Sequence, residues 1–250
     1  MTDFKGRKVV ISGATRGIGK AIAKAFLEAG ATVIGVYCSN RTAADSFVQE
    51  WQENASFQEN RLFLYQCDIS DDSSVLKLFN EIEQQFDTID ILVNNAGIRK
   101  DTVLAMMQSD DWRRVIDVNL TGTFNMSKQA VLLMMKQKYG RIIHITSTMA
   151  HMGFAGQTNY AASKAGQIGM MRSLSKETAK RKITVNCVSP GFIDTELLEG
   201  LTADQLEQYK KMVPMKRFGR PEEVAATVLF LAGEQASYIS GAVLEVTGGL

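Results

Sequence analysis

The chain has 250 residues, of which 45% are hydrophobic and 22% are charged. This is enough for one well-buried core, and an α/β domain of this length need not be divided. Because 28 Lys and Arg residues oppose 27 Asp and Glu residues, the charge balance does not favour a nucleic-acid or membrane surface. The expected partners are small molecules, or proteins that dock on local patches.

The cysteines and histidines suggest no metal site. Cys38, Cys67 and Cys187 are widely spaced in or beside apolar runs, as expected of reduced thiols in a cytosolic protein. Only His144 and His151 could add imidazole ligands. The opening MTDFKGRKVVISG has no apolar signal core, and no later run is long enough to span a bilayer. We therefore expect a cytoplasmic protein without a metal ion.

Seven short runs rich in β-branched residues alternate with longer helical patterns. They are residues 8–13, 31–37, 61–68, 89–97, 140–147, 183–191 and 242–249. Because these runs are apolar on both faces and are separated by helices, they predict strands covered on each side. The sequence therefore predicts one α/β domain over residues 1–250, with a Rossmann-type, doubly wound sheet of seven parallel strands and helices on both faces.

Several helical segments have predicted limits. One helix is expected to begin after an N-cap at Ser70 or Asp71, and two long helices are expected over roughly 109–137 and 158–180. The stretch 192–220 lacks a strand and contains the charged segment TADQLEQYKKM. We expect this stretch to be a mobile lid over the substrate.

A glycine-rich turn, SGATRGIG, follows the first predicted strand. Gly13, Gly17 and Gly19 allow a backbone to approach a pyrophosphate, whose charge the N-terminus of the next helix attracts. The spacing differs from G-x-G-x-x-G, but the strand-to-helix context is the required one. The alternative interpretation is a tight turn that binds nothing.

The end of the second predicted strand bears on the choice of dinucleotide. A carboxylate there would hold the ribose 2′-hydroxyl of NAD, but the sequence is VYCSNR. Arg16, Arg41 and the Ser39 hydroxyl could instead pair with a 2′-phosphate, which favours NADPH. Alternatively, the two arginines are solvated surface charges.

Tyr160 precedes Lys164 by four residues, and Ser147 lies thirteen residues upstream of the tyrosine. On a helix, this spacing places the phenol and the ammonium on one face. A fixed cation is expected to lower the phenol pKa from about 10 and make it a better acid. The alternative is an ordinary exposed pair. His144 lies in an apolar strand and is interpreted as a core histidine, not a base.

The motifs together resemble the short-chain dehydrogenase/reductase family and, within it, the 3-oxoacyl-[acyl-carrier-protein] reductases. The resemblance extends from Gly6 to Gly249, with the motifs in register. The matching motifs and residues are SGATRGIG, NNAG (94–97), Asn119, Ser147, YAASK (160–164) and SPG (189–191).

The resemblance implies an NADPH-dependent reductase of 3-oxoacyl thioesters in fatty-acid or polyketide synthesis. Tyr160 would be the general acid, Lys164 would tune it and hold the nicotinamide ribose, Ser147 would bond the developing alkoxide, and Asn119 would hold a water leading to Lys164. The alternatives are a reductase or dehydrogenase of another ketone or alcohol (acetoacetyl-coenzyme A, a sugar or a steroid) and a non-catalytic dinucleotide sensor. A sensor should have lost at least one of the four polar residues.

The resemblance also implies a set of cofactor contacts. Those at the phosphates are Gly13, Arg16, Gly17, Ile18 and Gly19. Those at the adenine are Asp68 and Ile69, and those at the ribose are Asn95, Ala96 and Gly97. Those at the nicotinamide are Pro190, Gly191, Ile193 and Thr195, with the main chain of Ile193 gripping the carboxamide.

Two kinds of protein contact are expected. The resemblance and the apolar content of the two long helices imply a homotetramer, paired through those helices and through the chain end. The resemblance also implies that Lys138 and Arg181 dock an acidic acyl carrier protein. We expect two positive helix ends flanking the site entrance, with compensation of the helix dipoles as the alternative. The basic residues at these ends are Lys136, Lys138, Arg141, Lys176, Lys180, Arg181 and Lys182.

Overall fold

The computed structural model describes residues 3–54, 60–198 and 202–250. Seven parallel strands form one sheet in the order β3-β2-β1-β4-β5-β6-β7. Each predicted strand run contains one of them, so the predicted sheet is confirmed. The strands are β1 (Lys8–Ser12), β2 (Thr32–Tyr37), β3 (Leu62–Gln66), β4 (Ile91–Asn94), β5 (Gly140–Ile145), β6 (Ile183–Pro190) and β7 (Val243–Val246).

Helices cover both faces of the sheet. They are α1 (Gly17–Glu28), α2 (Arg41–Gln52), α3 (Asp72–Phe86), α4 (Ser109–Ile116), α5 (Gly122–Gln137), α6 (Met149–Met152), α7 (Thr158–Thr178), α8 (Ala203–Met212) and α9 (Pro221–Ala232). One core cluster joins α1, α2 and α9 to the sheet. A second joins α3, α5 and α7. Val9 and Val10 belong to different clusters, because successive strand residues point to opposite faces.

Two predicted helix boundaries can be compared with the structure. Asp71 is the N-cap of α3, and its side chain accepts a hydrogen bond from the Ser73 amide. The predicted long helix over 109–137 is confirmed in its limits, but it contains a π-helical turn over Asp117–Thr121 that joins α4 to α5. In this turn the Gly122 amide bonds to the carbonyl of Asp117, five residues back. Such turns free a main-chain carbonyl for other partners.

The segment predicted to be a lid is partly described. It contains α8, whose start is fixed by reciprocal hydrogen bonds between Thr202 and Gln205. The ring of Tyr209 on α8 stacks on Phe192 at 5.0 Å and meets Phe154 edge-on at 5.8 Å. These contacts pack α8 against the loops that follow β6 and precede α7. Residues 199–201 of the segment lie outside the described residues.

In the three described ranges, no helix combines the length and apolarity that a bilayer crossing requires. In the same ranges, no three His, Cys, Asp or Glu side chains are grouped to hold a metal ion. All three cysteines are free, with Cys38 exposed and the other two buried.

Candidate active site

The candidate site lies at the carboxyl ends of the strands. β1 pairs with both β2 and β4, so successive crossover connections leave in opposite directions from this point. In doubly wound sheets, a crevice for ligands opens where the strand order reverses in this way. The glycine-rich turn follows β1, the NNAG segment ends β4, Ser147 follows β5, and Pro190 ends β6. Residues far apart in sequence are thereby brought to one edge.

The glycine-rich turn has the shape of a phosphate cradle. Gly13 and Gly17 have φ of +68° and +51°, a region that L side chains rarely adopt. A side chain at Gly19 would overlap the carbonyl oxygen of Gly13 and the side-chain amide of Asn95. Arg16, the N-cap of α1, makes no side-chain cap, and the first turn contains no acidic residue. The start of α1 therefore presents main-chain amides suited to an anion.

The ends of β1 and β4 are tied together by hydrogen bonds. The side-chain amide of Asn95 donates to the carbonyls of Ser12 at 3.1 Å and Gly13 at 3.0 Å. The Ser12 hydroxyl accepts from the main-chain amides of Asn95 and Ala96 at 3.0 and 3.1 Å. The predicted phosphate and ribose residues are thus neighbours, and the Asn95 side chain holds the turn itself.

The end of β2 contains no carboxylate before Asp45. Cys38, Ser39 and Asn40 are exposed there, as is Arg16 in the glycine turn. Arg41, the second predicted phosphate-binding arginine, donates to Asp45 on its own helix at 3.0 Å. Arg16 is therefore the better candidate cation for a phosphate at this position.

The predicted adenine residues are fixed by a side chain that the sequence analysis missed. Arg114 donates to Asp68 at 3.1 Å and to the Ser70 hydroxyl at 2.9 Å. Burial acts to raise the pKa of Asp68, but hydrogen bonds from Ser70 and Arg114 outweigh it and leave the pKa below its ordinary value. The adjacent Ile69 is buried. The sequence holds no signal for this contact, because Arg114 lies 46 residues from Asp68.

Tyr160 and Lys164 lie one turn apart on α7, with the lysine nitrogen 5.7 Å from the centre of the phenol ring. Burial raises the pKa of Tyr160, while a hydrogen bond with Ser147 opposes the shift. Of the nearby charges, Arg99 acts to lower this pKa and Asp101 to raise it. The predicted net lowering is therefore wrong for this structure. The lysine donates to the main-chain carbonyl of Ile145 at 2.7 Å.

Burial also sets the ionisation of the neighbouring bases. Lys164 is only 3% exposed, and burial lowers its pKa to about 8, with Cys187 acting in the opposite direction. The lysine is thus mainly charged at neutral pH. Burial and the lysine charge lower the pKa of His144 to about 3, so this histidine is neutral. The prediction that it is a core residue is confirmed.

Asn119 lies in the π-helical turn and is fully buried. Its side chain donates to the Ile98 carbonyl at 3.0 Å and accepts from the Ile98 amide at 2.8 Å. Its own carbonyl accepts from Thr123 and from Gln167, both at 2.6 Å. A Cβ at Gly97 would lie 3.3 Å from the Asn119 amide oxygen and 3.5 Å from the Lys164 nitrogen. The two side chains therefore face the same space beside Gly97.

The loop after β6 completes the site. Ile193 forms an isolated parallel bridge with Gly219, in which Asp194 donates to Gly219 and Gly219 donates to Phe192. The amide and carbonyl of Ile193 therefore point to the opposite edge of this extended segment. The Thr195 methyl group lies 3.5 Å from a Cβ built on Gly17. This contact brings the loop against the glycine-rich turn.

A doubly wound sheet with a glycine-rich strand-to-helix turn and a Tyr-Lys pair at one edge is the arrangement of a dinucleotide-binding oxidoreductase. A family model described as "Enoyl-(Acyl carrier protein) reductase" matches residues 13–250. The chain belongs to the short-chain dehydrogenase/reductase family.

Known relatives match over almost the whole chain. A 3-oxoacyl-[acyl-carrier-protein] reductase of Synechocystis sp. is 44% identical over 251 residues, covering 100% of this chain and 99% of that protein. The reductase of the same name from Aquifex aeolicus is 43% identical, covering 99% and 98%. The one from Escherichia coli K12 is 41% identical, also covering 99% and 98%.

Proposed function

We propose that this protein reduces the ketone of a 3-oxoacyl thioester on acyl carrier protein to the 3-hydroxyacyl thioester, with NADPH, in fatty-acid or related polyketide synthesis. The observation that carries the proposal is the convergence of Asn119, Ser147, Tyr160 and Lys164 at one sheet edge. The identity of 41–44% to reductases of that name supports the substrate class.

Four side chains of this chain have separate roles in the proposed reduction of the ketone. Bound NADPH would supply the hydride to the carbonyl carbon. The Ser147 hydroxyl hydrogen-bonds the ketone oxygen, and the Tyr160 phenol gives its proton to that oxygen as negative charge develops there. Because burial keeps the phenol protonated, Tyr160 is in the form needed for a donor. The Lys164 charge stabilises the phenolate that remains, and Asn119, which faces the same space beside Gly97, would hold a water leading to Lys164.

The residues present fit a nicotinamide dinucleotide, since the glycine turn and the uncapped start of α1 suit its diphosphate. The uncharged end of β2 suits NADPH over NADH. In our assignment Gly13, Arg16, Gly17, Ile18 and Gly19 hold the phosphates, and Ser39 lies at the 2′-phosphate. Asp68 and Ile69 hold the adenine, Asn95, Ala96, Gly97, Tyr160 and Lys164 hold the nicotinamide ribose, and Pro190, Gly191, Ile193 and Thr195 hold the nicotinamide.

Arg16→Ala should weaken NADPH binding by roughly 10- to 100-fold, which is the loss in affinity expected when a hydrogen bond between charged groups is removed. NADH binding should weaken far less. Fluorescence titration of both dinucleotides measures the difference. Arg41→Ala is the matched control, because Asp45 already engages this arginine, and it should change neither affinity much. Equal weakening of both dinucleotides by Arg16→Ala would show that this residue does not read the 2′-phosphate.

The substrate assignment is tested by following NADPH oxidation with different substrates at equal concentration. Acetoacetyl-carrier protein should turn over faster than acetoacetyl-coenzyme A, and sugar and steroid ketones should turn over slowly. Crotonyl-carrier protein tests the enoyl reduction that the matching family model names, and it should be inert. Faster reduction of a sugar or steroid ketone would favour the second candidate, a different ketone reductase. Tight NADPH binding without turnover of any substrate would favour a sensor.

We also propose a homotetramer, supported by apolar side chains on two separate faces. Phe124, Leu132 and Met135 are exposed on α5, which packs beside α7. Phe230 on α9 and Tyr238 near the edge strand β7 are exposed on the other face. Two distinct isologous contacts generate a closed tetramer. Light scattering at micromolar concentration should give four times the mass of one chain, and a monomer mass would refute the assembly.

The structure corrects the location of the proposed docking patch. Lys138 and Arg181 are exposed, but they precede the starts of β5 and β6, whereas Ser147 follows the end of β5. The six residues of β5 span about 20 Å, so these cations do not flank the site of their own chain. Arg141 is buried, and the exposed Lys136 is already paired with Glu83.

We nevertheless propose that Lys138 and Arg181 dock the acidic carrier protein. In a two-fold pair whose long helices run antiparallel, these helix ends would lie near the catalytic edge of the second chain. Reversal to Glu at both positions should raise the Michaelis constant for acetoacetyl-carrier protein about tenfold or more, with little effect on a small ketoester. Lys77→Glu on α3 is the control for net charge. An equal effect on both substrates would contradict docking.

The remaining assignments are also proposals. Residues 192–220 act as a substrate lid, supported by the packing of Tyr209 on Phe192 and Phe154. Residues 1–250 act as a single dinucleotide-binding and catalytic domain. The three free cysteines support a reducing compartment such as the cytoplasm.

A further inference from the structure

Gln167 is a fully buried polar side chain that the mechanism above leaves without a role. It lies on α7, three residues after Lys164 and seven after Tyr160, so all three share one helix face. A buried amide without hydrogen bonds would be destabilising, and Gln167 satisfies its hydrogen-bonding groups entirely within the site. Its contacts connect Lys164 with the π-helical turn that carries Asn119.

The orientation of the Gln167 amide is fixed by its nitrogen. The nitrogen donates to the Asn119 carbonyl at 2.6 Å and to the Thr123 hydroxyl oxygen at 2.8 Å. Thr123 uses its own hydroxyl proton on the Asn119 carbonyl at 2.6 Å, so its oxygen is an acceptor toward Gln167. A flipped amide would place its oxygen against the Asn119 carbonyl oxygen. The amide oxygen of Gln167 is therefore turned toward the Lys164 nitrogen, at 3.4 Å.

Neutral acceptors surround the Lys164 ammonium. It donates to the Ile145 carbonyl at 2.7 Å and faces the Gln167 oxygen, which leaves its third hydrogen for the space beside Gly97. The titratable groups that face it are Tyr160 on α7, His144 on β5 and Cys187 on β6. At neutral pH none of the three carries a charge, since the pKa of His144 is about 3 and that of Cys187 is about 12. The amide dipole of Gln167 is thus one of few groups that favour the charged lysine.

We propose that Gln167 is a positioning residue, whose amide oxygen keeps the Lys164 ammonium charged and directed toward Gly97. The proposal rests on the proposed function in one respect, namely that catalysis requires a charged Lys164. Removing an acceptor of the charged form must lower the lysine pKa. The charged fraction then falls at alkaline pH first and is restored as the pH is lowered.

Gln167→Met tests this inference with two measurements. A titration of isotope-labelled lysine side chains by nuclear magnetic resonance, with the signal assigned through Lys164→Met, should show the pKa of Lys164 lowered by about half to one unit. The alkaline limb of the turnover profile should move to lower pH by the same amount. Turnover near pH 6 should approach that of the wild type, with a smaller change in the Michaelis constant of the ketone.

Gln137→Met is the matched control. Its amide nitrogen, like that of Gln167, donates two hydrogen bonds, here to the main-chain carbonyls of Ile89 at 2.6 Å and Tyr139 at 3.1 Å, but at the opposite edge of the sheet. It should lose stability and leave both the lysine pKa and the alkaline limb in place. If Gln167→Met does not fold, Thr123→Val loosens the same amide, and a smaller shift in the same direction is expected.

The outcomes separate this inference from the proposed function. An unchanged pKa of Lys164 in the folded variant, or a shift equal to that of Gln137→Met, overturns the role of Gln167. A wild-type protein that does not reduce acetoacetyl-carrier protein overturns the proposed function instead. In that case the resonance titration still decides whether Gln167 supports the lysine charge.

Discussion

Tyr160→Phe should lower turnover of acetoacetyl-carrier protein by about two to four orders of magnitude, while NADPH affinity changes little. The phenol oxygen, which hydrogen-bonds with Ser147, is the proposed proton donor, and phenylalanine keeps the ring that packs beneath Lys164. The glycine-rich turn that would hold the phosphates joins β1 to α1 and does not include Tyr160, so NADPH affinity should depend little on the phenol. Stopped-flow turnover and fluorescence titration of NADPH measure the two effects independently.

The matched control for this substitution is Tyr65→Phe. Tyr65 on β3 donates its hydroxyl proton to Gln85, away from the site, so its loss should leave turnover near the wild-type value. A Tyr160→Phe variant that keeps roughly a third of the wild-type turnover would contradict the assignment, because a general acid contributes far more than this.

The fold could be predicted because the apolar runs are periodic and separated. Residues 8–13 and 89–97 are apolar on both faces, which indicates central strands, and they become β1 and β4. The glycine turn could also be predicted, since three glycines between a buried strand and a helix are typical of a phosphate-binding turn. The sequence could not show that Gly19 is required by the Gly13 carbonyl and the Asn95 amide, because these contacts cross between elements.

Other features of the site depend on local hydrogen bonding that residue spacing does not encode. The π-helical turn at Asp117–Thr121 looks like ordinary helix in the sequence. The expected lowering of the Tyr160 pKa is wrong because burial raises this pKa more than the hydrogen bond with Ser147 lowers it. The spacing of Gln167 places a polar residue on the same helix face as Tyr160 and Lys164. Its hydrogen-bond partners, Asn119 and Thr123, could be identified only from the structure.

The topology of the sheet explains why the proposed docking cations do not lie beside the site of their own chain. A helix that follows a parallel strand runs back across the sheet, so its C-terminus lies at the edge where the next strand begins. Lys138 and Arg181 therefore lie opposite the Tyr160 edge of their own chain.

Gly19→Ala should abolish measurable NADPH binding and destabilise the fold by about 1–3 kcal/mol or more. The added methyl group would overlap the Gly13 carbonyl oxygen and the Asn95 amide. Neither can move freely, because the Gly13 amide bonds to Val36 at 2.8 Å and Asn95 is bonded to the turn. Relief of the overlap would shift the backbone that we propose to cradle the phosphates. Denaturant unfolding and NADPH titration measure the two losses.

Gly169→Ala provides the matched control for adding a methyl group to a helical glycine. A Cβ at Gly169 on α7 meets nothing within 4 Å, so this substitution should stabilise the chain by up to about 1 kcal/mol and leave NADPH affinity unchanged. Its mass should be checked by light scattering, because α7 belongs to the face proposed for pairing. If Gly19→Ala bound NADPH as tightly as Gly169→Ala, the glycine turn could not be the phosphate cradle.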